Sequence, residues 1–398
     1  MKKISALITS LLLMALCVSP AFAANAKKDY SYLKGTEINV YNWGEYIADG
    51  SDDTMDVNAL FEKETGIKVN YTTFDSNENM YNKLKSGGAN YDIVIPSDYM
   101  IARLIEEGLV QKIDFGNIPN YSNIMDKYKG LYFDPNDEYS VPYNVGMVGV
   151  IYNTKMVEGE PDSWALMWDE KYSGQILNFN NPRDAFAIAQ WMLGIDLNTT
   201  DPDDWDKAFE LLKEEKPLVQ SYVMDEVFNK MESGEAAIAP YYAGDFLTMY
   251  DNNEDLAFFY PKEGTNIFVD SICIPSSSQN KEAAELYINF LLREDVALEN
   301  AEYLYYATPN KAVYENEDYS LRDSQILYPD AEHEPKTEYF HNLDYDTQLT
   351  MTALWDNLKI DGNENTSIYI GLILFAVIVV AAVVFAAIKK RKRASYYD

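Results

Sequence analysis

From residue 36 onward, apolar strand-like runs alternate with amphipathic stretches. "TEINVY" (36–41) reads as a strand, and in "DDTMDVNALFEKETG" (52–66) Met55, Val57, Leu60 and Phe61 fall near helical spacing. Gly66 is placed to end that helix, because glycine takes the left-handed backbone of a helix C-terminus without strain. "IKVNYTTF" (67–74) predicts a second strand, Ser76 caps a helix from Asn77 to about Ser86, "YDIVIP" (91–96) is a third strand and "YMIARLIEEG" (99–108) a third helix. Strict alternation implies parallel strands joined by right-handed crossovers, an α/β fold. Ligands of such sheets bind beyond the carboxyl ends of the strands, where Trp43, Tyr46, Ser97, Asp98 and Tyr99 fall.

Tyr139–Asn153 is long, extended and glycine-containing, which suits a segment passing between two lobes. Beyond it, "WALMWDEKY", "AFAIAQWML" and "DDWDKAFELLKEE" carry helical patterns, with "GQILNF" and "AAIAPYY" as strands. A second crossing is expected at "TNIFVDSICIP" (265–275), followed by one helical stretch, "KEAAELYINFLLREDVALEN". Residues 36–145 with 272–315 form one expected lobe, and 146–271 with 316–358 the other. Two discontinuous lobes joined by two or three strands make a hinged clamp.

The chain's ends add a location. Lys2 and Lys3, an apolar stretch around "LLLMAL" and Ala21-Phe22-Ala23 give residues 1–23 the form of a secretory signal. Leu16 stands where a lipoprotein signal has a small side chain, which argues against lipid attachment at Cys17. Residues 368–388 carry no charge and span about 31 Å as a helix, enough for one membrane crossing. The basic run Lys389–Arg393 places the tail, 389–398, in the cytoplasm, with 359–367 as a tether. The expected protein is therefore single-pass, with its binding domain extracellular or periplasmic.

The net charge is -32, and the basic residues at both ends leave the outer domain more acidic still. Such a surface repels nucleic acid and attracts cations. Only His333 and His341 are present, and Cys273 is the lone cysteine after the signal, so no transition-metal cluster and no cofactor are expected. G-x-S-x-G, P-loop and G-x-G-x-x-G motifs are missing from the sequence, which points to binding rather than catalysis.

"INVYNWGEYI", the run from Phe61 to Tyr99, "FDPNDEYSVPYNVG", "KEGTNIFVDSICIP", "INFLLREDVA" and "YATPN" resemble the spermidine/putrescine-binding proteins of bacterial ABC transporters over residues 36–360. The resemblance implies a two-lobed periplasmic-binding-protein-like clamp of type II, to which this chain adds one C-terminal transmembrane helix. It implies a polyamine receptor that delivers its ligand to an ABC permease. Trp43, Tyr46, Tyr99, Tyr242, Phe268 and Tyr306 would form the aromatic wall, and Ser97 and Ser221 would hydrogen-bond near the ligand. Asp184 and Asp270 would hold amines. Asp245 matches an aspartate of the putrescine-selective relatives, and Asn181 stands where the family often has an acid. Both putrescine and spermidine are expected to bind, putrescine slightly ahead.

The chemistry fits. A polyamine is a methylene chain with ammonium groups, each costly to bury unless a carboxylate meets it, and aromatic faces serve methylenes and cations alike. On residue type alone, Asp270 reads as a turn residue and Asp184 as a helix cap. Two other classes remain open at this point: a ferric-ion receptor of the same fold using Tyr241-Tyr242 and Tyr305-Tyr306, and an exported carboxylate-based glycoside hydrolase.

Overall fold

The structure, a computed structural model, describes residues 29–51, 54–88 and 90–360. The expected signal, most of the tether, the membrane segment and the tail lie outside the described residues. Among the described residues no helix is long and apolar enough to cross a membrane.

The first half follows the sequence pattern closely. β1 (Glu37–Trp43) lies between β2 (Lys68–Phe74) and β3 (Ile93–Val94), parallel to both. Between these strands run α1 (Val57–Thr65) and α2 (Asn77–Lys85), and α3 (Asp98–Glu106) follows β3. Asp56 caps α1 by accepting from Ala59 N–H, and Gly66 closes it at φ +72°. Ser76 caps α2 by accepting from Asn79 N–H.

β4 (Ser140–Asn153) is the long strand, buried along nearly its whole length. The second half continues with β5 (Ile176–Phe179), α4 (Pro182–Leu193), α5 (Pro202–Glu215), β6 (Val219–Val223) and α6 (Glu226–Glu232). Then come β7 (Ile238–Tyr242), α7 (Ala243–Asn252), β8 (Leu256–Phe259) and β9 (Thr265–Cys273). α8 (Lys281–Leu291), α9 (Glu294–Leu304), α10 (Lys311–Glu315), β10 (Thr337–Tyr339) and α11 (Tyr345–Ile360) complete the described chain.

The strands run in the order β2-β1-β3-β9-β4-β7-β5-β6, with β10 on β9 and β8 on β4. β4 pairs antiparallel with β9 over Ser140–Met147, then with β7 and β8 over Val148–Asn153. These two strands carry the chain from one half to the other. Gly146 allows their close packing: a Cβ there would stand 2.3 Å from Phe268 Cζ.

Three local expectations differ. "WALMWDEKY" forms two short 3-10 turns rather than an α-helix, because Asp169 turns extended (φ -76°, ψ 107°) and caps the second by accepting from Lys171 N–H. "KEAAELYINFLLREDVALEN" splits into α8 and α9 at Arg293, whose extended backbone (ψ 141°) breaks the helix. Its guanidinium bridges Glu64 and Asp295, anchoring the break. β6, β8 and β10 were not anticipated. Each is short and lacks a strong alternation of its own.

Candidate ligand-binding site

Loops beyond the carboxyl ends of β1, β3, β5, β6 and β7 converge with the middle of β9 on one cleft of about 760 Å³, its open mouth included. β1 delivers Trp43 and Tyr46, and β3 delivers Ser97, Asp98 and Tyr99 at the start of α3. β5 leads to Asp184 in the first turn of α4, and β7 to Tyr242 and Asp245 at the start of α7. Phe268 and Asp270 alternate on one face of β9, as the two-residue period of a strand requires. Tyr306 enters from the loop after α9, where Tyr305 turns the chain at φ +59°. Of the residues assigned to the site from the sequence, all but Ser221 line this cleft.

The carboxylates are the decisive feature. Asp270 Oδ2 accepts from the Tyr46 hydroxyl at 2.7 Å, while Oδ1 is buried with no partner among the described residues. Burial pushes Asp270 up to about 6, against the pull of the Tyr46 and Ser97 hydroxyls. Asp184 Oδ2 accepts from Tyr242 OH at 2.9 Å and Asn181 Nδ2 at 2.7 Å, yet burial raises it to about 7. Asp245 rises to about 8, through burial and the nearby charges of Asp225 and Glu45. Asp98, buried behind Asp270, is held well above the carboxylate range by desolvation.

The nearest buried cation does not neutralise them. Arg183 donates to Leu197 O at 3.0 Å and Asn198 Oδ1 at 2.8 Å, and its guanidinium sits 4.5 Å over the Phe340 ring. The cleft is thus a set of underpaired acids awaiting positive charge.

Its walls are aromatic. Tyr46 meets Tyr306 edge to face at 5.1 Å, and Phe268 lies 5.5 Å from Tyr242 and 6.4 Å from Tyr306. Trp43 packs on Phe74 at 4.5 Å. The Tyr99 hydroxyl is occupied behind the wall, donating to Glu78 Oε1 at 3.0 Å and accepting from Asn77 Nδ2 at 3.1 Å. Ser97 occupies the N-cap position of α3 without making a side-chain cap bond, which leaves its hydroxyl for the cleft.

Two sequence assignments change. Ser221 lies on β6 outside the cleft lining, and its buried hydroxyl finds no partner among the described residues. The cap of α4 is Asn181, which accepts from Arg183 N–H at 3.0 Å, so Asp184 is left to face the cleft from the first turn. The sequence reading missed Asp225, Phe228, Asn266 and Phe340, all of which line the cleft. Phe340 lies in a distant segment with no motif of its own, and Asp225 follows β6, a strand that the sequence pattern does not announce.

The paired tyrosines do not converge as pairs. Tyr241 and Tyr242 both line the cleft, but Tyr305 points away and donates to Asp251 at 2.5 Å. Among the described residues no group of His, Cys, Asp and Glu is arranged to hold a metal ion.

Residues 58–325 match the family model of bacterial extracellular solute-binding proteins. The chain belongs to that family. This solute-binding protein is 38% identical over 302 residues to the spermidine/putrescine-binding periplasmic protein of Salmonella typhimurium, covering 75% of this chain and 85% of that one. It is 32% identical to the putrescine-binding periplasmic protein PotF of Escherichia coli, over 81% of this chain and 91% of the relative. A solved structure from Listeria monocytogenes, assigned to a spermidine/putrescine ABC transporter, superposes with a TM-score of 0.77 at 34% identity, covering 82% of this chain and 99% of that one. The fold is accordingly the two-lobed α/β fold of periplasmic binding proteins, and the family is one of receptors rather than enzymes. β4 and β9 are the strands shared between its halves, and the cleft lies against them.

Proposed function

We propose that this solute-binding protein is a membrane-anchored extracellular receptor for polyamines, putrescine and spermidine, which closes on its ligand and hands it to an ABC permease for import. One observation carries the reading: Asp184, Asp245 and Asp270 converge, short of positive partners, on one aromatic-walled cleft. A carboxylate removed from water is unfavourable until a cation pairs with it, and a methylene chain needs apolar faces on the way. Trp43, Tyr46, Tyr99, Tyr242, Phe268 and Tyr306 serve as the walls, Asp184 and Asp270 hold one ammonium, Asp245 holds another, and Ser97 hydrogen-bonds between. The relatives named for spermidine and putrescine support the same ligand class. Lobe 1 comprises residues 36–145 and 272–315, and lobe 2 comprises 146–271 and 316–358.

Calorimetric titration of the full chain in detergent with putrescine, cadaverine, spermidine and spermine tests the ligand. Saturable binding of putrescine and spermidine is expected. A chain that binds none of the four, but takes ferric iron with a visible charge-transfer band, sinks the proposal.

The anchor is the uncharged run 368–388 followed by basic residues. A short tether from the domain to that run keeps the receptor at high effective concentration near its permease. Protease added to intact cells or protoplasts should remove the domain and leave the tail. Protection of the domain would overturn this topology.

A further inference from the structure

Behind Tyr99, on the side away from the ligand, lies a second cavity of about 390 Å³, its mouth included. α2 and α3 of the first half bring Glu78, Tyr99 and Arg103 to it, and α4 and α11 of the second half bring Arg183 and Gln348. Tyr99 and Arg183 line the cleft as well, so they form the partition between the two spaces.

Two opposite charges face this cavity incompletely met. Glu78 accepts from the Tyr99 hydroxyl at 3.0 Å through Oε1, and its Oε2 is buried with no hydrogen-bond partner among the described residues. Arg183, only 2% exposed, donates from its terminal nitrogens to Leu197 O and Asn198 Oδ1, while its Nε–H is buried and unmet in the same way. Its guanidinium lies 5.9 Å from the Tyr99 ring centre, on the ring whose hydroxyl Glu78 holds. Arg103, the other cation on the wall, is taken by Glu107 at 3.1 Å and by the face of Tyr81. Arg183 also stands in the first turn of α4, where the helix dipole disfavours a cation. Burial raises Glu78 and lowers Arg183, and each is pulled back in part by the charge of the other.

We propose that Glu78 is a positioning residue: it meets the charge of Arg183 across the junction of the lobes, which holds the cleft closed and keeps that cation off Asp184. This goes beyond the ligand assignment, since it needs only a clamp that closes. The two residues belong to stretches 36–145 and 146–271, so their charges come together only when the lobes do. Asp184 follows Arg183 directly on α4 and feels its charge. With Glu78 neutral, the charge of Arg183 falls on Asp184, and the ammonium of a ligand must compete with it.

The test is a double-mutant cycle on the full chain in detergent: Glu78→Gln, Arg183→Met and both together. Release of putrescine and spermidine after dilution is followed by tryptophan fluorescence. Glu78→Gln should speed release of both amines about tenfold and alike, with association changed by less than about twofold, because the contact forms on closure. Adding Arg183→Met should recover at least about threefold of that loss, since the unmet cation is gone. A role limited to orienting Tyr99 would not be rescued in this way, so absent rescue overturns the proposal, as does unchanged release in Glu78→Gln. Thermal denaturation of the ligand-free chains reads the same cycle without a ligand: the Tm loss of the double variant should be smaller than the sum of the single losses. If the parent binds neither amine, the polyamine reading falls, and additive Tm losses overturn the present proposal by themselves.

Discussion

Asp270→Asn should cost about 3 to 5 kcal/mol of polyamine binding, roughly a hundredfold to several-thousandfold in affinity. The side chains are nearly isosteric, so the β9 ladder, in which Asp270 faces Asn144, keeps its backbone bonds. What changes is charge: the one amide oxygen can still accept from Tyr46, and the amide nitrogen that then replaces the buried Oδ1 offers an incoming ammonium a donor in place of a negative charge. An ammonium brought into that space meets Asp184 alone. The ligand-free variant should be no less stable than the parent, because it loses a group whose burial is unfavourable when ionised. Calorimetry with putrescine and spermidine, paired with thermal denaturation of the ligand-free chain, separates the two effects. Parent-like affinity for both amines would mean the ligand lies elsewhere.

The sequence made the site legible where chemistry and periodicity coincide. Trp43, Tyr46 and Ser97–Tyr99 sit just beyond strand-like runs, where a parallel sheet places its ligand, and the structure brings them to one cleft. Phe268 and Asp270 follow from alternation along β9 once that run is read as a strand. Capping chemistry was less certain, since Asn181 and Asp184 are both good caps and only their backbone angles decide: Asn181 is extended, at φ -126° and ψ 117°. Asp225 and Phe340 were out of reach because their place in the cleft depends on how the two lobes meet. That meeting is a tertiary fact, carried by Gly44 against Asp225 and by Arg183 beneath Phe340, and no local pattern encodes it.

The same buried acids make binding strongly dependent on pH, with opposite signs for the empty and the loaded protein. Asp270, Asp184 and Asp245 stand at about 6, 7 and 8 when no cation is present, all raised first by burial. The groups facing them do not cancel this: Asp98, Glu78 and Asp225 are raised as well, Glu45 adds negative charge, and Arg183 is turned to carbonyl and amide oxygens. An ammonium pairs with the ionised forms only, so each acid costs about tenfold in affinity for every pH unit below its pKa. Polyamine affinity should therefore fall at least ~1,000-fold between about pH 8 and about pH 5, and binding near neutrality should release protons to the buffer.

For folding, the sign reverses. An unfolded aspartate titrates near ~3.9, so between that value and the raised native values the folded, empty chain holds more protons than the unfolded one. These three groups thus add stability at low pH that is lost as the pH rises through about 6, 7 and 8. Glu215, raised to about 8 in the core beside Asn178, contributes the same trend with or without ligand. The clean readout is therefore the rise in Tm on adding saturating polyamine, which should be large at about pH 8 and small at about pH 5. A ligand-induced shift of equal size at both pH values would mean that Asp184, Asp245 and Asp270 do not trade protons for ammonium groups, and that they are not the residues that hold them.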